Sequence, residues 1–479
     1  MLPDRLRTLD DVLALLATTT NYEEKMPRAD VPRAFDLSRM RALLGALGDP
    51  QRGPVTVHVT GSKGKGSTCR MVDAVVRAAG RGPVGLYVSP HLERLTERVS
   101  IDGEPVSGEA LAQATETLLP HLRTTLGTPA FPTFFEILTA AAHVAFRARA
   151  VRSLVLEVGL GGRLDATTVC DPSVTAITSV ELEHTQVLGD TLELVAGEKA
   201  GILKPLVPCV TALPLDGPAL RVVEARAREL GVPLARLGRE VLLDEVDARP
   251  GPTLSLRVRG PDGAPPLRVT LPVAGAHQAR NAAVAVAIAR TLGVEDAAIV
   301  RGLAQVTLPA RMEVVLEGPT VIVDGAHTPA SAQAARDAVL ACFPGRRVHL
   351  VIGVLEEKDV RGILAPLLPL ACRVVVSGVA SPRAMPTARL GALVRETFAG
   401  PVLVAATAAD ALALARDGAT GTDLVLVTGS TYLSGAARTA ARAYPGQDLH
   451  LVMDNYAAHK RVEIRDWLAA NPRNQFHFT

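Results

Sequence analysis

The sequence predicts an α/β protein: a phosphate-loop (P-loop) mononucleotide-binding domain on a mostly parallel sheet, followed by a second α/β domain. Three observations carry this expectation. The β-branched apolar run Val55–Val59 leads into the glycine-rich turn Thr60-Gly61-Ser62-Lys63-Gly64-Lys65-Gly66-Ser67, and helical spacing follows from about Ser67 to Ala79. Short apolar strands then alternate with helical patterns, the signature of a doubly wound sheet. The alternation restarts beyond Leu308-Pro309-Ala310-Arg311-Met312-Glu313, as it would at the start of a second domain.

In chain order, residues 5–20 and 38–47 show helical spacing, with Asp36 or Ser38 placed to cap the second helix. The phosphate loop comes next, then a strand at Val84–Val88 ending at Ser89-Pro90-His91-Leu92. Helical patterns at 108–123 and 133–149 precede the strand Leu154–Val158, which contains Glu157. The strand Val174–Thr178 leads to Glu181-Leu182-Glu183-His184, and a helix near 191–203 carries Glu198-Lys199. Period-two alternation at 254–258 and 267–271 around a Gly-Pro-Asp-Gly turn predicts an antiparallel hairpin late in the first domain. A helix near 278–291 closes that domain. Strands at 321–323, 348–353, 373–377, 402–405 and 423–427 build the second. The expected boundaries are 1–312, 313–445 and a distinct tail, 446–479.

Composition narrows the partners. A net charge of +2 over 479 residues argues against a general nucleic-acid or membrane-surface binder. The five cysteines are scattered and never form C-x-x-C, which argues against a zinc site or a disulfide framework. No uncharged apolar run approaches the roughly 20 residues that span a bilayer. The N-terminal residues have no signal-like apolar stretch, so a cytoplasmic protein is expected.

The chemistry gathers at strand ends, where open α/β sheets bind ligands. Glycines in the 60–67 loop let backbone N–H groups turn toward an anion, Lys65 reaches terminal phosphates, and the Ser67 hydroxyl suits Mg²⁺. The spacing departs from the general P-loop pattern: Val59 stands where its first glycine belongs, and Gly66 follows the lysine. Glu157, at a strand end before Gly159-Leu160-Gly161-Gly162, suits a direct or water-mediated metal ligand, with Ser89 and His184 just past neighbouring strands. From composition alone, Lys199 reads as a solvated helix lysine.

The loop resembles the T-G-T-x-G-K-G-S loop of the folylpolyglutamate and dihydrofolate synthases of the Mur ligase superfamily. The likeness continues in order through Ser89-Pro90-His91-Leu92 with Glu97-Arg98, Glu157 to Thr167, His184-Thr185, Glu198 to Ile202, Gly275 to Gln278 with Asn281, Pro309 to Glu313, Asp324 to His327, Lys358-Asp359, and Gly429-Ser430 with Tyr432-Leu433. It covers about residues 10–440. The resemblance implies a second, Rossmann-like α/β ligase domain and an ATP-dependent ligase that adds L-glutamate to a folate or to dihydropteroate. It implies that Gly61, Ser62, Lys63, Gly64, Lys65, Gly66 and Ser67 hold the ATP phosphates. Asn281 is implied on the adenine side, and Arg311 and Asp324 contact the nucleotide. Two Mg²⁺ ions are implied, with Ser67 at the phosphates and Ser89, Glu157, His184 and a carbamylated Lys199 at the second site. Lys65, His184, Lys199, Asp324 and His327 are the implied catalytic residues. The resemblance also leans toward a monomer; that it binds neither nucleic acid nor membrane is expected from the charge and apolar pattern above.

The chain departs from the family in several places. Ser62-Lys63 replaces Thr-Asn, Thr328 replaces an asparagine, and Glu356-Glu357 stand where the family has aspartate. The tail resembles a fragment of DDE-type insertion-sequence transposases around His450 to Lys460 and Trp467, with Asp454 where that family has one of three metal-binding acids. One carboxylate cannot rebuild a two-metal nuclease site, so the tail reads as a passenger segment; a native strand and helix is the alternative. For the whole chain, a Mur-type ligase acting on another carboxylate, or an ATP-binding remnant, stays open beside the folate ligase.

Overall fold

The computed structural model describes residues 2–23, 35–443, 449–453 and 474–478. Asp454, Lys460 and Trp467, named above in the tail, lie outside the described residues. The chain divides into two compact units, Met1–Pro309 with Ala341–Phe343, and Ala310–Leu340 with Pro344–Thr479.

The first unit is built on eight strands: β1 (Val55–Thr60), β2 (Val84–Tyr87), β3 (Val99–Ile101), β4 (Glu104–Pro105), β5 (Ser153–Glu157), β6 (Val174–Ile177), β7 (Cys209–Thr211) and β8 (Leu234–Arg236). Their order is β4-β3-β2-β5-β1-β6-β7-β8; β2, β5, β1, β6, β7 and β8 run parallel, and β3 and β4 complete one edge as antiparallel strands. The central strands β1, β2, β5 and β6 are buried along nearly their whole length, polar Thr56 and His58 included, because both faces are covered. On one face Val57, Val59 and Val155 pack with Met71, Val72 and Val75 of the helix Lys65–Ala78, and with Ile288, Ile299 and Leu303. On the other face Tyr87, Leu154 and Leu156 pack with the helix Phe134–Ala148 and the N-terminal helices Leu9–Ala17 and Leu37–Ala46. Asp36 caps the second of these, accepting from the Ser38 N–H at 2.8 Å.

Three elements differ from expectation for local reasons. The helix expected at 108–123 is two, Gly108–Glu116 and Leu119–Thr125; Pro120, near the start of the second, cannot donate to the turn before it. The helix after the phosphate loop begins at Lys65, two residues early, so Lys65 is its first residue. The expected hairpin gains a third strand: β9 (Leu242–Arg249), β10 (Thr253–Arg259) and β11 (Leu267–Leu271) form an antiparallel sheet ordered β11-β10-β9. Asp244, Glu245 and Asp247 hide β9 from a propensity reading, because acids are depleted in strands. Here Glu245 pairs with Arg257 at 3.1 Å and also with Arg268.

The second unit is a six-stranded sheet: β12 (Glu313–Leu316), β13 (Thr320–Val323), β14 (Val348–Ile352), β15 (Ala371–Ser377), β16 (Val402–Ala405) and β17 (Leu424–Thr428). The order is β12-β13-β17-β14-β15-β16, parallel except for the β12–β13 pair. In the tail, Leu449–Met453 pairs in parallel with Asn474–Phe478. Among the described residues, no helix is long and apolar enough to cross a membrane.

Two buried histidines make the first unit acid-sensitive. His58, on β1, meets the Thr167 hydroxyl through Nε2 at 2.8 Å, and its Nδ1 has no partner among the described residues. His143, in the helix Phe134–Ala148, has none there for either ring nitrogen. Burial lowers both: His58 to about 3, helped by the charges of Lys204 and His143, and His143 to about 4. Both folded-state values lie below the unfolded value near 6.5. Stability from the neutral rings is therefore complete above about pH 6.5 and is lost as pH falls toward 4, by up to about 1.4 kcal/mol per pH unit for each ring. Thermal melts from pH 7 to 4.5 should show this slope, and His143→Leu should reduce it, leaving the His58 share, without lowering the melting temperature at pH 7, because no paired group is lost.

Candidate functional site

The phosphate loop is shaped by two glycines and the segment after β6. Gly61 has φ +151°, and a Cβ there would lie 2.0 Å from Thr178 Oγ1. Gly64, the residue before the helix, has φ +83°, and a Cβ there would lie 2.3 Å from Asn281 Oδ1. Only glycine satisfies both the left-handed backbone and the close approach. Asn281, in the helix His277–Thr291, is oriented by donating from Nδ2 to Gln278 Oε1 at 2.9 Å. The structure thus brings Asn281 against the loop.

Hydrogen bonds sort the loop's donors. The Ser62 N–H is taken by the Ser179 carbonyl at 2.9 Å, and the Lys63 N–H by the Ser179 hydroxyl at 2.8 Å. Thr178 Oγ1 donates to the Lys63 carbonyl at 2.6 Å, and Ser62 Oγ accepts from the Glu181 N–H at 2.9 Å. The first α-type bond of the helix runs from Thr68 N–H to the Gly64 carbonyl at 2.9 Å. The N–H groups of Gly64, Lys65, Gly66 and Ser67 precede it, where no earlier turn offers carbonyls, and they carry the positive end of the helix dipole. Four backbone donors so placed are a set that can bind an anion. Lys65 folds back over it, Nζ donating to the Gly61 carbonyl at 2.7 Å. Ser62 and Lys63 anchor the loop through their backbones.

A carboxylate lies beside this cradle. Glu157, the last residue of β5, is 5 % exposed, and its Oε2 accepts the Ser89 N–H at 3.1 Å. A Cβ on Gly66 would be 3.3 Å from the same oxygen. With the Ser67 hydroxyl one residue on, this is an oxygen donor set suited to a hard divalent cation, so the residues fit Mg²⁺.

Lys199 is not the solvated lysine that composition suggests. It is 1 % exposed, and its ammonium pairs with Glu183 Oε1 at 2.9 Å. Burial and the nearby Lys65 charge lower it to about 8, against the pull of Glu183. For Glu183, burial raises the carboxyl, but the Lys199 and Lys65 cations leave it below its ordinary value. Glu183 is a residue the sequence reading passed over. It lies sixteen positions from Lys199, and no spacing rule links them. His184, next to it, is exposed and left-handed (φ 46°) at the start of the short helix Thr185–Leu188. Among the described residues, no group of three or more His, Cys, Asp or Glu side chains is gathered to hold a metal.

The second unit holds its own polar cluster at the carboxyl ends of β13 and β17. Asp324 follows β13; its Oδ2 accepts the Met312 N–H at 2.8 Å and its Oδ1 the Ala326 N–H at 2.9 Å. Ser434 Oγ donates to the Asp324 carbonyl at 2.7 Å. His327 turns its Nδ1 to the Gly325 carbonyl at 2.8 Å, so Nδ1 carries the proton. Exposed Arg311 donates to the Ala310 carbonyl at 3.0 Å. Thr328, at the expected asparagine position, accepts the Ser331 N–H at 3.3 Å as an N-cap for the helix Pro329–Cys342. Glu356 and Glu357 pair with Arg389 and Arg383 on the surface.

A model of the Mur ligase middle domain matches residues 59–289, and one of the Mur ligase glutamate ligase domain matches 310–431; the chain belongs to the Mur ligase family. Within it, the chain is similar to the dihydrofolate and folylpolyglutamate synthases. It is 34 % identical to the dihydrofolate synthase/folylpolyglutamate synthase of Mycobacterium tuberculosis over 90 % of this chain and 95 % of that protein. It is 39 % identical to a probable bifunctional folylpolyglutamate synthase/dihydropteroate synthase of Halobacterium salinarum, over 88 % of this chain and 51 % of the relative. The chain spans about half the length of that relative, and of a similar one from Haloferax volcanii. Among solved structures, M. tuberculosis folylpolyglutamate synthase complexed with ADP and AMPPCP superposes with a TM-score of 0.80 at 33 % identity, covering 91 % of this chain and 99 % of that one.

Gly64→Ala should weaken nucleotide binding at least tenfold while leaving the melting temperature within a few degrees, since the clash is confined to the loop and Asn281. Calorimetric titration with ADP, beside a thermal melt, checks both halves.

Proposed function

We propose that this chain is an ATP-dependent ligase that joins L-glutamate to a pterin-bearing carboxylate, either dihydropteroate or a reduced folate. The observation that supports this best is the pairing of a four-amide anion cradle and Lys65 with the Glu157 carboxylate at the end of the adjoining strand. The relatives named for the same activity add to it. A carboxylate oxygen of the substrate attacks the γ-phosphorus, the bond to ADP breaks, and an acyl phosphate forms. The glutamate amine attacks the acyl carbon and loses a proton, and phosphate leaves.

The first unit's residues take defined parts. The amides of residues 64–67 bind phosphate oxygens, and Lys65 follows the charge as it moves to the leaving group. Asn281 supports the loop and the adenine side. Ser67 and Glu157 would hold one Mg²⁺, and Ser89, Glu157, His184 and a carbamylated Lys199 a second; bound Mg²⁺ offsets the repulsion between carboxylate and triphosphate. The lowered pKa of Lys199 supports carbamylation, because a buried lysine near 8 has free amine to capture CO₂ at neutral pH. In the second unit, Asp324 and His327 are the residues proposed to orient the glutamate amine, and Arg311 to contact phosphate. The protein is proposed to act as a cytoplasmic monomer, with residues 446–479 as a passenger.

Phosphate release from ATP and Mg²⁺ should require both L-glutamate and one pterin, tested with dihydropteroate and tetrahydrofolate separately. Release with a different carboxylate, or with none, would replace this reading. Lys65→Ala should lower kcat/KM by about 10²–10³-fold. Mass spectra in bicarbonate should show one added CO₂ on Lys199, and Lys199→Ala should be inactive; an active enzyme whose Lys199 is never modified rejects the carbamate. Deleting residues 446–479 should leave activity within about twofold, whereas unfolding on deletion would make the tail native structure.

A further inference from the structure

His91 lies in the turn after β2, two residues beyond Ser89, and nothing above gives it a part. Its surroundings fix which ring nitrogen carries the proton. Arg98 Nε donates to His91 Nδ1 at 2.9 Å. A guanidinium is always a donor and never an acceptor, so Nδ1 must be the acceptor and the hydrogen of the neutral ring is on Nε2. Arg98 has no freedom to do otherwise. It is 1 % exposed, it is bound by both oxygens of Glu23 at 2.6 Å, and its guanidinium lies 5.4 Å from the centroid of the Phe134 ring.

The rest of the turn is held as firmly. Glu97 accepts the N–H groups of Leu92 at 2.9 Å, Glu93 at 3.2 Å and Arg94 at 3.0 Å. At the other end the Ser89 N–H is bound to Glu157. His91 is only partly buried, and its inner edge is the one that meets Arg98. The Nε2–H is the ring's other polar group, on the side Arg98 does not engage, and it has no hydrogen-bond partner among the described residues. A rigid turn that begins at the Glu157 site thus presents one preset N–H donor.

We propose that His91 is a substrate-binding residue whose Nε2–H donates to an oxygen at the carboxylate-bearing end of the pterin substrate, with Arg98 as the positioning residue that fixes its tautomer. The proposal rests on the folate-ligase reading. The donor selects an oxygen acceptor and orients the substrate carboxylate beside the Ser89–Glu157 contact. It takes no part in ATP binding.

Three variants test this. His91→Phe keeps a ring and removes the donor. His91→Gln returns an N–H near the Nε2 position, and His91→Asn returns one only near Nδ1. The KM for the pterin should rise tenfold or more in His91→Phe and His91→Asn, the size expected for a lost hydrogen bond to a charged oxygen, and His91→Gln should recover most of it. The KM for ATP should stay within twofold in all three. An unchanged pterin KM in His91→Phe, an equal rise in both KM values, or no recovery in His91→Gln overturns the proposal. Should His91→Phe fail to fold, Gln against Asn decides alone. The histidine ¹⁵N spectrum of the unmodified protein, with the His91 signals assigned by their loss in His91→Gln, must show the Nε2–H form, and the Nδ1–H form also overturns it. A wild-type enzyme that ligates no pterin fails the folate reading itself, whereas an active wild type with unaffected variants fails His91 alone.

Discussion

The first unit depends on one passage of backbone, the left-handed step at Gly64 that carries the chain from β1 into the helix Lys65–Ala78. Because Gly64 has no side chain and a positive φ, the chain enters the helix there with its first four amides ahead of any helical carbonyl, and Asn281 can press against the loop. The loop's other backbone groups are satisfied by Thr178 and Ser179, so its shape exists before any ligand arrives. Preorganisation of this kind matters because donors already in place need no rearrangement as charge develops on phosphate.

Charge is arranged around that passage with similar economy. Glu157 is buried, its Oε2 receives the Ser89 N–H, and its carboxylate lies against Gly66 of the loop. Lys199 and Lys65 are close enough to depress the Lys199 ammonium, and Glu183 offsets part of that repulsion. A lysine caught between burial, a like charge and one carboxylate has two accessible states, the paired ammonium and the free amine. The second is the one with carbamate chemistry.

Several departures from the family pattern find local structural reasons. Ser62 still bonds through its hydroxyl, to the backbone of Glu181, and Lys63 is clamped by backbone contacts that are independent of its side chain. Thr328 keeps a capping oxygen at the start of the helix Pro329–Cys342. Positions that change type but keep the same donor or acceptor preserve the geometry they serve.

The sequence by itself determined the α/β class, the alternation of strands and helices, the phosphate loop and the family, because apolar periodicity and glycine placement act over a few residues. It determined poorly whatever depends on partners distant in the chain. Lys199 read as solvated until the fold placed it against Glu183. β9 stayed hidden because its acids disfavour a strand by local pattern, and only the fold sets Glu245 against Arg257 and Arg268 of other strands. The tautomer of His91 is set by Arg98, which a turn and a short helix bring back onto it. Local pattern encodes which face of an element is apolar; burial, ion pairing and proton position are properties of the packed neighbourhood, and only the tertiary structure decided them.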